Sequence, residues 1–348
     1  LYSDFVKEEL QRLLVRSKAR ADAAFENGCH DDRVRHRNWL SSINSDSGAW
    51  LSAGASPKMF EMSNNEFVSA VCRRNTVEDP IIPKYTASMS REDPQNFQCA
   101  CDGSSQSKRI DPYGYHLVGC RIGANAIRLH DEVVATVAKL FRTLRLDAIV
   151  EPTRLFNNPD EDASSQRPDI FIRNPRGLGR QVIIDVAVTG VNGQSRTSDE
   201  ATDRPLQTRY DQKMAKYGRV AEQCNLRFVP AVFSHTGQIH GVFRAFIKEQ
   251  ITQKLVAFEG DPKPSKINSI MKWWSRCISV AIAKTASRNV AFKVAKMREA
   301  IMEDQDEFLM RNTEGADVDM HTNNRAHLED VAQNADLYIA NQAVSSQP

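Results

Sequence analysis

The sequence lacks any apolar run that approaches the length of a membrane span, and its first residues show no secretory signal pattern. We therefore expect no membrane partner. The chain also lacks a charge excess, because 46 Lys and Arg residues oppose 44 Asp and Glu residues and leave a formal net charge of +2 at pH 7. A nearly neutral chain can bind nucleic acid only through local basic patches.

Cysteine is too sparse and too unevenly placed for a disulfide scaffold. Three of the seven cysteines cluster as Cys99, Cys101 and Cys120, and the others are scattered singly. This pattern favours a reducing compartment and one metal site. We expect a nuclear or cytoplasmic protein.

The cysteine cluster includes a histidine at a spacing typical of a zinc site. His116 and Cys120 form a His-x3-Cys pair, which would share one face of a helix. Zinc takes four thiolate or imidazole ligands in tetrahedral geometry, so the sequence predicts a structural zinc on Cys99, Cys101, His116 and Cys120. Four protein ligands leave no open position for catalysis. Three buried cysteines without a metal are the alternative.

The length and the ordinary composition allow two or three domains with a full core. The chain has 348 residues, of which 41% are hydrophobic and 26% are charged. It starts with Leu1 rather than Met, and we expect it to be a piece of a longer protein.

Hydrophobic periodicity predicts an α/β sandwich around a mixed sheet. We expect a helix over 1–27 and two short helical pieces within 36–78, the second from Asn64 to Arg74. An irregular connection follows over 79–98. In the second half we expect a helix over 124–145 and strands over 147–155, 168–173 and 180–189. A helix over 203–224, a strand over 226–234 and two helices over 241–258 and 265–312 should follow.

Two carboxylates stand at the ends of two strand-like apolar runs. Asp169 follows Pro168 and precedes one run, while Asp185 interrupts the run from 182 to 188. If the runs pair as a hairpin, both carboxylates meet at one edge of a sheet. Neighbouring carboxylates repel each other unless a divalent cation lies between them, so the pattern predicts a Mg²⁺ site. An Asp that ends a sheet or pairs with an arginine is the alternative.

Two lysines on the next predicted helix would complete such a site. Lys213 and Lys216 lie three residues apart, so either could reach the carboxylates and stabilise charge on a phosphate or orient the attacking water. A solvated basic face is the alternative for one of them. Glu151 is a candidate metal ligand through water. His130 is a candidate base, although a structural hydrogen-bonded histidine is the commoner case at a helix start.

Six short motifs occur in order along the chain: Cys99-x-Cys101, His116-x3-Cys120, Arg128 with His130, Arg167-Pro168-Asp169, Asp185-Val186 and Lys213-x2-Lys216-Tyr217. Over roughly residues 39 to 235 this series resembles the C-terminal region of site-specific non-LTR retrotransposons. In that region a CCHC zinc motif precedes a restriction-like endonuclease of the PD-(D/E)XK type. The chain departs from the best-known pattern in its Cys-x-Cys spacing.

The resemblance implies a PD-(D/E)XK core of the order αβββαβ, with Asp169 and Asp185 as ligands of a catalytic Mg²⁺. It also implies a catalytic lysine moved from the strand to the helix, in agreement with Ala187 at the usual lysine position. DNA is the implied partner, with RNA as a second candidate, and the resemblance also implies a reverse transcriptase domain upstream in a longer polyprotein. No aromatic-Asp-Asp polymerase motif occurs in this chain. The predicted nucleic-acid contacts are Arg128, Arg167, Tyr217, Lys272 and Arg276.

On this basis we expect the chain to divide into five parts. They are a helical N-terminal region (1–95), a zinc-binding segment (96–123), a restriction-like endonuclease core (124–260), a long C-terminal helix (261–312) and a polar, acidic, disordered tail (313–348).

The leading hypothesis is a Mg²⁺-dependent endonuclease that nicks target DNA by hydrolysing phosphodiester bonds. A catalytically inactive, zinc-containing nucleic-acid-binding module is the second, with Trp273 and Trp274 as candidates for stacking on bases. A third gives the long helix a protein-interaction role through its apolar stripe, which contains Ile267, Ile270, Met271, Trp274 and Ile278. Docking of this stripe onto the nuclease core is the alternative.

Overall fold

The computed structural model describes residues 12, 15, 16, 19, 30–53, 58–82, 98–99, 108–120, 124–152, 155, 167–175, 180–190 and 203–313. The predicted tail lies outside these residues apart from its first position, as does most of the predicted helix over 1–27. The chain divides into two compact units, residues 1–296 and 297–348. The site described below belongs to the first unit.

Helices form the part of the first unit that is described between residues 30 and 82. Helix α1 (His30–Ile43) and helix α2 (Asn64–Arg74) are joined through short 3-10 turns at Ala49–Ser52 and Lys58–Phe60. A capping box starts α2: the Ser63 hydroxyl accepts from the Glu66 N–H, and the Glu66 carboxylate accepts from the Ser63 N–H. The predicted bounds of α2 are confirmed.

A small hairpin and a one-turn helix follow. Strand β1 (Gln98–Cys99) pairs antiparallel with β2 (Lys108–Arg109), and helix α3 spans Tyr115–Val118.

A four-stranded mixed sheet forms the centre of the second half. The elements are α4 (Asn125–Thr143), β3 (Ala148–Val150), β4 (Ile170–Ile172), β5 (Val182–Thr189), α5 (Asp203–Gln223), β6 (Arg227–Ser234) and α6 (Gly241–Glu259). The strand order is β3-β4-β5-β6, with the first two pairs antiparallel and β5 parallel to β6. The predicted α/β class and the predicted order of elements are confirmed.

Burial on both faces explains why β5 is an almost unbroken apolar run. Residues 182–187 are all buried, as expected for a central strand covered by helices on both sides. Ile183 packs with Phe171 and with Tyr217 of α5. Because side chains alternate along a strand, Asp185 lies on this same face.

Two predicted elements end earlier than expected because the backbone leaves their regular conformation. The strand predicted over 147–155 ends at Val150, since Glu151 has a φ of 50° and Pro152 cannot donate to a ladder. Helix α4 ends at Thr143, two residues before Arg145 with its φ of 57°.

Helix α7 (Pro264–Thr313) is the long C-terminal helix. Its apolar stripe packs inside the first unit: Trp274 is 1% exposed, and its ring lies edge-on to Phe141 of α4 with centroids 5.0 Å apart. The interpretation of this stripe as a partner-binding surface is therefore wrong, and so is base stacking by Trp274. No helix in the described part of the chain has the length and apolar character needed to cross a membrane.

Candidate active site at the β4–β5 edge

The register of the β4–β5 hairpin brings the two predicted carboxylates together. Ile170 pairs with Ile184, so continuing the ladder by one residue places Asp169 opposite Asp185. The Asp169 carboxylate accepts a 2.6 Å hydrogen bond from the backbone N–H of Val186, the residue after Asp185. The sequence does not single out this amide, although the hairpin register places it beside Asp169.

Asp185 is a buried carboxylate with a lysine against it. Its side chain is 4% exposed, and the Lys213 ammonium of α5 forms an ion pair with its Oδ2. Burial raises the pKa of Asp185, Lys213 opposes that shift, and the nearby charge of Asp169 adds to it. The pKa of Asp185 therefore lies above its usual range despite the ion pair.

Lys216 does not share this position. Its side chain is exposed, and Nζ lies 4.7 Å from the centroid of the neighbouring Tyr217 ring. Of the two predicted lysines, Lys213 is the one that contacts a carboxylate. The alternative of a solvated basic side chain holds for Lys216.

His130 of α4 is held by Asp169. Its Nε2 lies 3.2 Å from Asp169 Oδ2, and its Nδ1 lies 3.1 Å from Asp131 Oδ1. The hydrogen bond to Asp169 raises the pKa of His130 to about 9. The raised pKa favours the protonated ring, which donates to Asp169, and this contact supports the alternative of a hydrogen-bonded structural histidine.

Glu151 directly follows β3, and its carboxylate pairs with Arg167. Arg167 Nη2 lies 2.5 Å from Glu151 Oε2, and both side chains are largely exposed. The Glu151 backbone N–H donates to the Asp169 carbonyl at 2.8 Å. Glu151 is thus next to Asp169 through its backbone, while its carboxylate turns to the arginine.

Tyr217 lies beneath the site rather than at its surface. The residue is 2% exposed, and its hydroxyl donates to the Arg167 carbonyl at 3.5 Å. Burial and the charge of Asp185 both raise the pKa of Tyr217. Its prediction as a nucleic-acid contact is therefore wrong, because the ring belongs to the core beside Asp185.

The other predicted nucleic-acid contacts separate into packed and exposed side chains. The Arg128 guanidinium lies 4.3 Å from the centroid of the Phe292 ring and donates to Asn289 of α7, so it joins two helices. Arg276 is half-buried and donates to the Ser52 hydroxyl at 3.0 Å. Arg167 and Lys272 are exposed.

No family model and no curated protein that was searched matches this chain.

The chemistry of the carboxylate pair fits a hard divalent cation. Oδ2 of Asp185 is a buried oxygen that forms an ion pair with the Lys213 ammonium. Carboxylate oxygens are the ligands that Mg²⁺ prefers, with waters filling its remaining positions. Over the described ranges, no cluster of three or more His, Cys, Asp or Glu side chains could hold a metal. Asp169 and Asp185 are therefore the protein ligands that this edge offers.

The predicted zinc segment is described for three of its four ligands. Cys99 ends strand β1, His116 lies in α3, and Cys120 follows that helix and is buried. The Asp111 carboxylate accepts the backbone N–H groups of Tyr113, Tyr115 and His116, which fixes the start of α3. Cys101 lies outside the described residues.

Proposed function

We propose that this chain is a metal-dependent DNA endonuclease domain of a retrotransposon-like protein, with a PD-(D/E)XK-type core and a structural zinc. The observation that supports it most directly is the meeting of Asp169, Asp185 and Lys213 at one end of the β4–β5 ladder. Burying a carboxylate in an apolar strand lowers the stability of the fold, so its presence there is typical of a functional site.

Each side chain has a role that follows from its surroundings. Asp169 and Asp185 would hold Mg²⁺, with the Val186 amide and the His130 imidazolium fixing the orientation of Asp169. When bound, the ion supplies Lewis acidity and lowers the pKa of a water molecule. Lys213 donates to the phosphate oxygen on which charge develops, from a position largely shielded from water where such a charge acts strongly.

Nicking of a supercoiled plasmid in Mg²⁺ tests the proposal. Asp169→Asn and Asp185→Asn preserve the shape of each side chain but remove its charge, and we expect each to lower the nicking rate by at least about 100-fold. Asp211→Asn is the matched control, because it removes the same charge from an exposed position of α5. Equal nicking by the wild type and by folded Asp185→Asn would refute the proposal.

A nucleic-acid-binding module without catalysis is the second candidate. The ion pair with Lys213 already balances the charge of Asp185, and Arg167 engages Glu151, so the site is neutralised without a metal. Exposed cations such as Lys272 would then contact phosphates, and binding would weaken steeply with salt. Binding that persists in Asp169→Asn and Asp185→Asn, with no cleavage in Mg²⁺ or Mn²⁺, would favour this candidate.

A further inference from the structure

A groove between helices α4 and α7 forms a second site that the proposed chemistry does not use. Its cavity has a volume of about 260 Å³, and its lining includes Thr136 and Lys139 of α4 and Trp273, Cys277 and Lys284 of α7. These residues follow helical spacings of three, four and seven, so each helix contributes one continuous face.

The groove is separate from the carboxylate pair. On α4, Thr136 and Lys139 are six and nine residues beyond His130, which places them about 120° and about 180° away from it around the helix at 100° per residue. His130 faces Asp169, whereas Lys139 faces the groove. Substitutions in the groove can therefore be made without touching the carboxylate site.

The floor and one wall of the groove suit a flat apolar group. Leu140, Cys277 and Ala281 are buried beneath it, and the half-buried indole of Trp273 lines its side. Burial raises the pKa of Cys277 to about 11, so the floor carries a neutral thiol rather than a thiolate. An aromatic ring of a ligand would lie beside the Trp273 side chain over this apolar floor, although the Glu132 carboxylate also lines the groove.

The rim of the groove suits an anion. Lys139 is exposed, and Lys284 donates to the Glu61 carbonyl at 2.6 Å with one of the three N–H groups of its ammonium. Arg288, also at the rim, pairs with Glu66 at 2.5 Å. Two ammonium groups next to an indole are the combination that binds a base together with its phosphate.

We propose that this groove binds a nucleotide, with the base against Trp273 and the phosphate between Lys139 and Lys284. The inference rests on the proposed function in one respect: a chain that acts on nucleic acid would take this nucleotide from an unpaired stretch of a strand. Exposed Lys272, adjacent to Trp273 in α7, extends the cationic surface that a strand would follow. A free nucleoside monophosphate carries the same chemistry and is the other source.

Anisotropy of a labelled single-stranded oligonucleotide, measured in EDTA so that no cleavage occurs, tests the groove directly. We expect Trp273→Ala to weaken binding at least about fivefold. Lys139→Ala should reduce the slope of log K against log salt by about 0.7. Lys248→Ala, at an exposed position of α6 outside the groove, is the matched control and should leave both quantities unchanged.

Competition by a nucleoside monophosphate distinguishes the two sources. If the monophosphate displaces the oligonucleotide only at a far higher concentration than the oligonucleotide itself needs, the groove binds a strand. If the monophosphate binds as tightly as the oligonucleotide and Trp273→Ala weakens both equally, the groove binds the free nucleotide. Unchanged affinity for both ligands in folded Lys139→Ala and folded Trp273→Ala would overturn the inference. Because binding is measured without metal, this failure is separate from a failure of plasmid nicking.

Discussion

The Lys213 ammonium forms an ion pair with Oδ2 of Asp185, and both side chains are largely shielded from water. Helix α5 packs against β5, which turns Lys213 toward the strand and leaves Lys216 in solvent. The two lysines are three residues apart and chemically identical, so the same substitution at each of them separates the effect of position from the effect of losing a lysine.

Lys213→Ala should lower the rate of plasmid nicking by about 100-fold or more, because it removes the donor beside the carboxylates. Lys216→Ala should retain most of the activity, since its ammonium group contacts the Tyr217 ring and not a carboxylate. Rates measured side by side in Mg²⁺ check this expectation. A larger loss in Lys216→Ala than in Lys213→Ala would reverse the assignment of the catalytic lysine.

Because of His130, the free energy of unfolding should decrease as the pH rises above neutrality. Its folded-state pKa of about 9 lies above the ordinary value of 6.5, so the stabilisation is fully present below pH 6.5 and is lost as the pH rises through 9. The ring is 33% exposed, so we discount the effect for solvent screening to about 2 kcal/mol at most. Urea unfolding of the wild type and His130→Gln between pH 6 and about 9.5 measures it. Parallel curves for the two proteins would contradict the prediction.

The approach of the two carboxylates is predictable from the sequence because it depends on local periodicity. The apolar runs before and after the hairpin fix which residues face inward, and the pairing of Ile170 with Ile184 then carries Asp169 to Asp185. The class of the fold follows from the same patterns.

The burial and the contacts of Arg128 and Tyr217 are not predictable in this way, because they depend on residues far away in the sequence. Arg128 lies against Phe292, and only the docking of α7 onto α4 creates that contact. Tyr217 is buried because α5 turns this residue toward Phe171 and Ile183. Both side chains are amphipathic, so their chemistry alone is compatible with a surface role and with packing.

Because of His235, the free energy of unfolding should decrease at acidic pH. The ring is buried and its Nε2 lies 2.7 Å from the Asn38 amide oxygen, while burial lowers its pKa to about 4. The unfolded state takes up a proton near pH 6.5, but the folded state does not, so stability falls as the pH drops from 6.5 toward 4.

The loss at His235 should reach about 2 to 3 kcal/mol by pH 4. His235→Asn removes the titrating ring, and its unfolding free energy should fall less over the same interval. Denaturant unfolding at closely spaced pH values gives the comparison. An NMR titration in which the His235 ring protonates near its ordinary pKa would rule out the explanation.

We predict that the zinc segment requires a metal for its stability, whether or not the chain cleaves DNA. The short β1–β2 hairpin and the single turn of α3 are too small to be stable alone, so a shared metal would contribute much of their stability. We expect about one zinc per chain by elemental analysis. His116→Ala and Cys120→Ser should lose it and unfold at lower temperature, and a chelator should destabilise the wild type in the same direction.

Cys224→Ser is the control for the zinc prediction, because this exposed cysteine lies just after α5 and outside the segment. It should keep both the metal and the unfolding temperature of the wild type. Plasmid nicking by zinc-depleted but folded chain separates the two metals, since Mg²⁺ at Asp169 and Asp185 requires no thiolate. A wild-type chain that is folded, metal-free and insensitive to chelators would show instead that Cys99, His116 and Cys120 are packing residues.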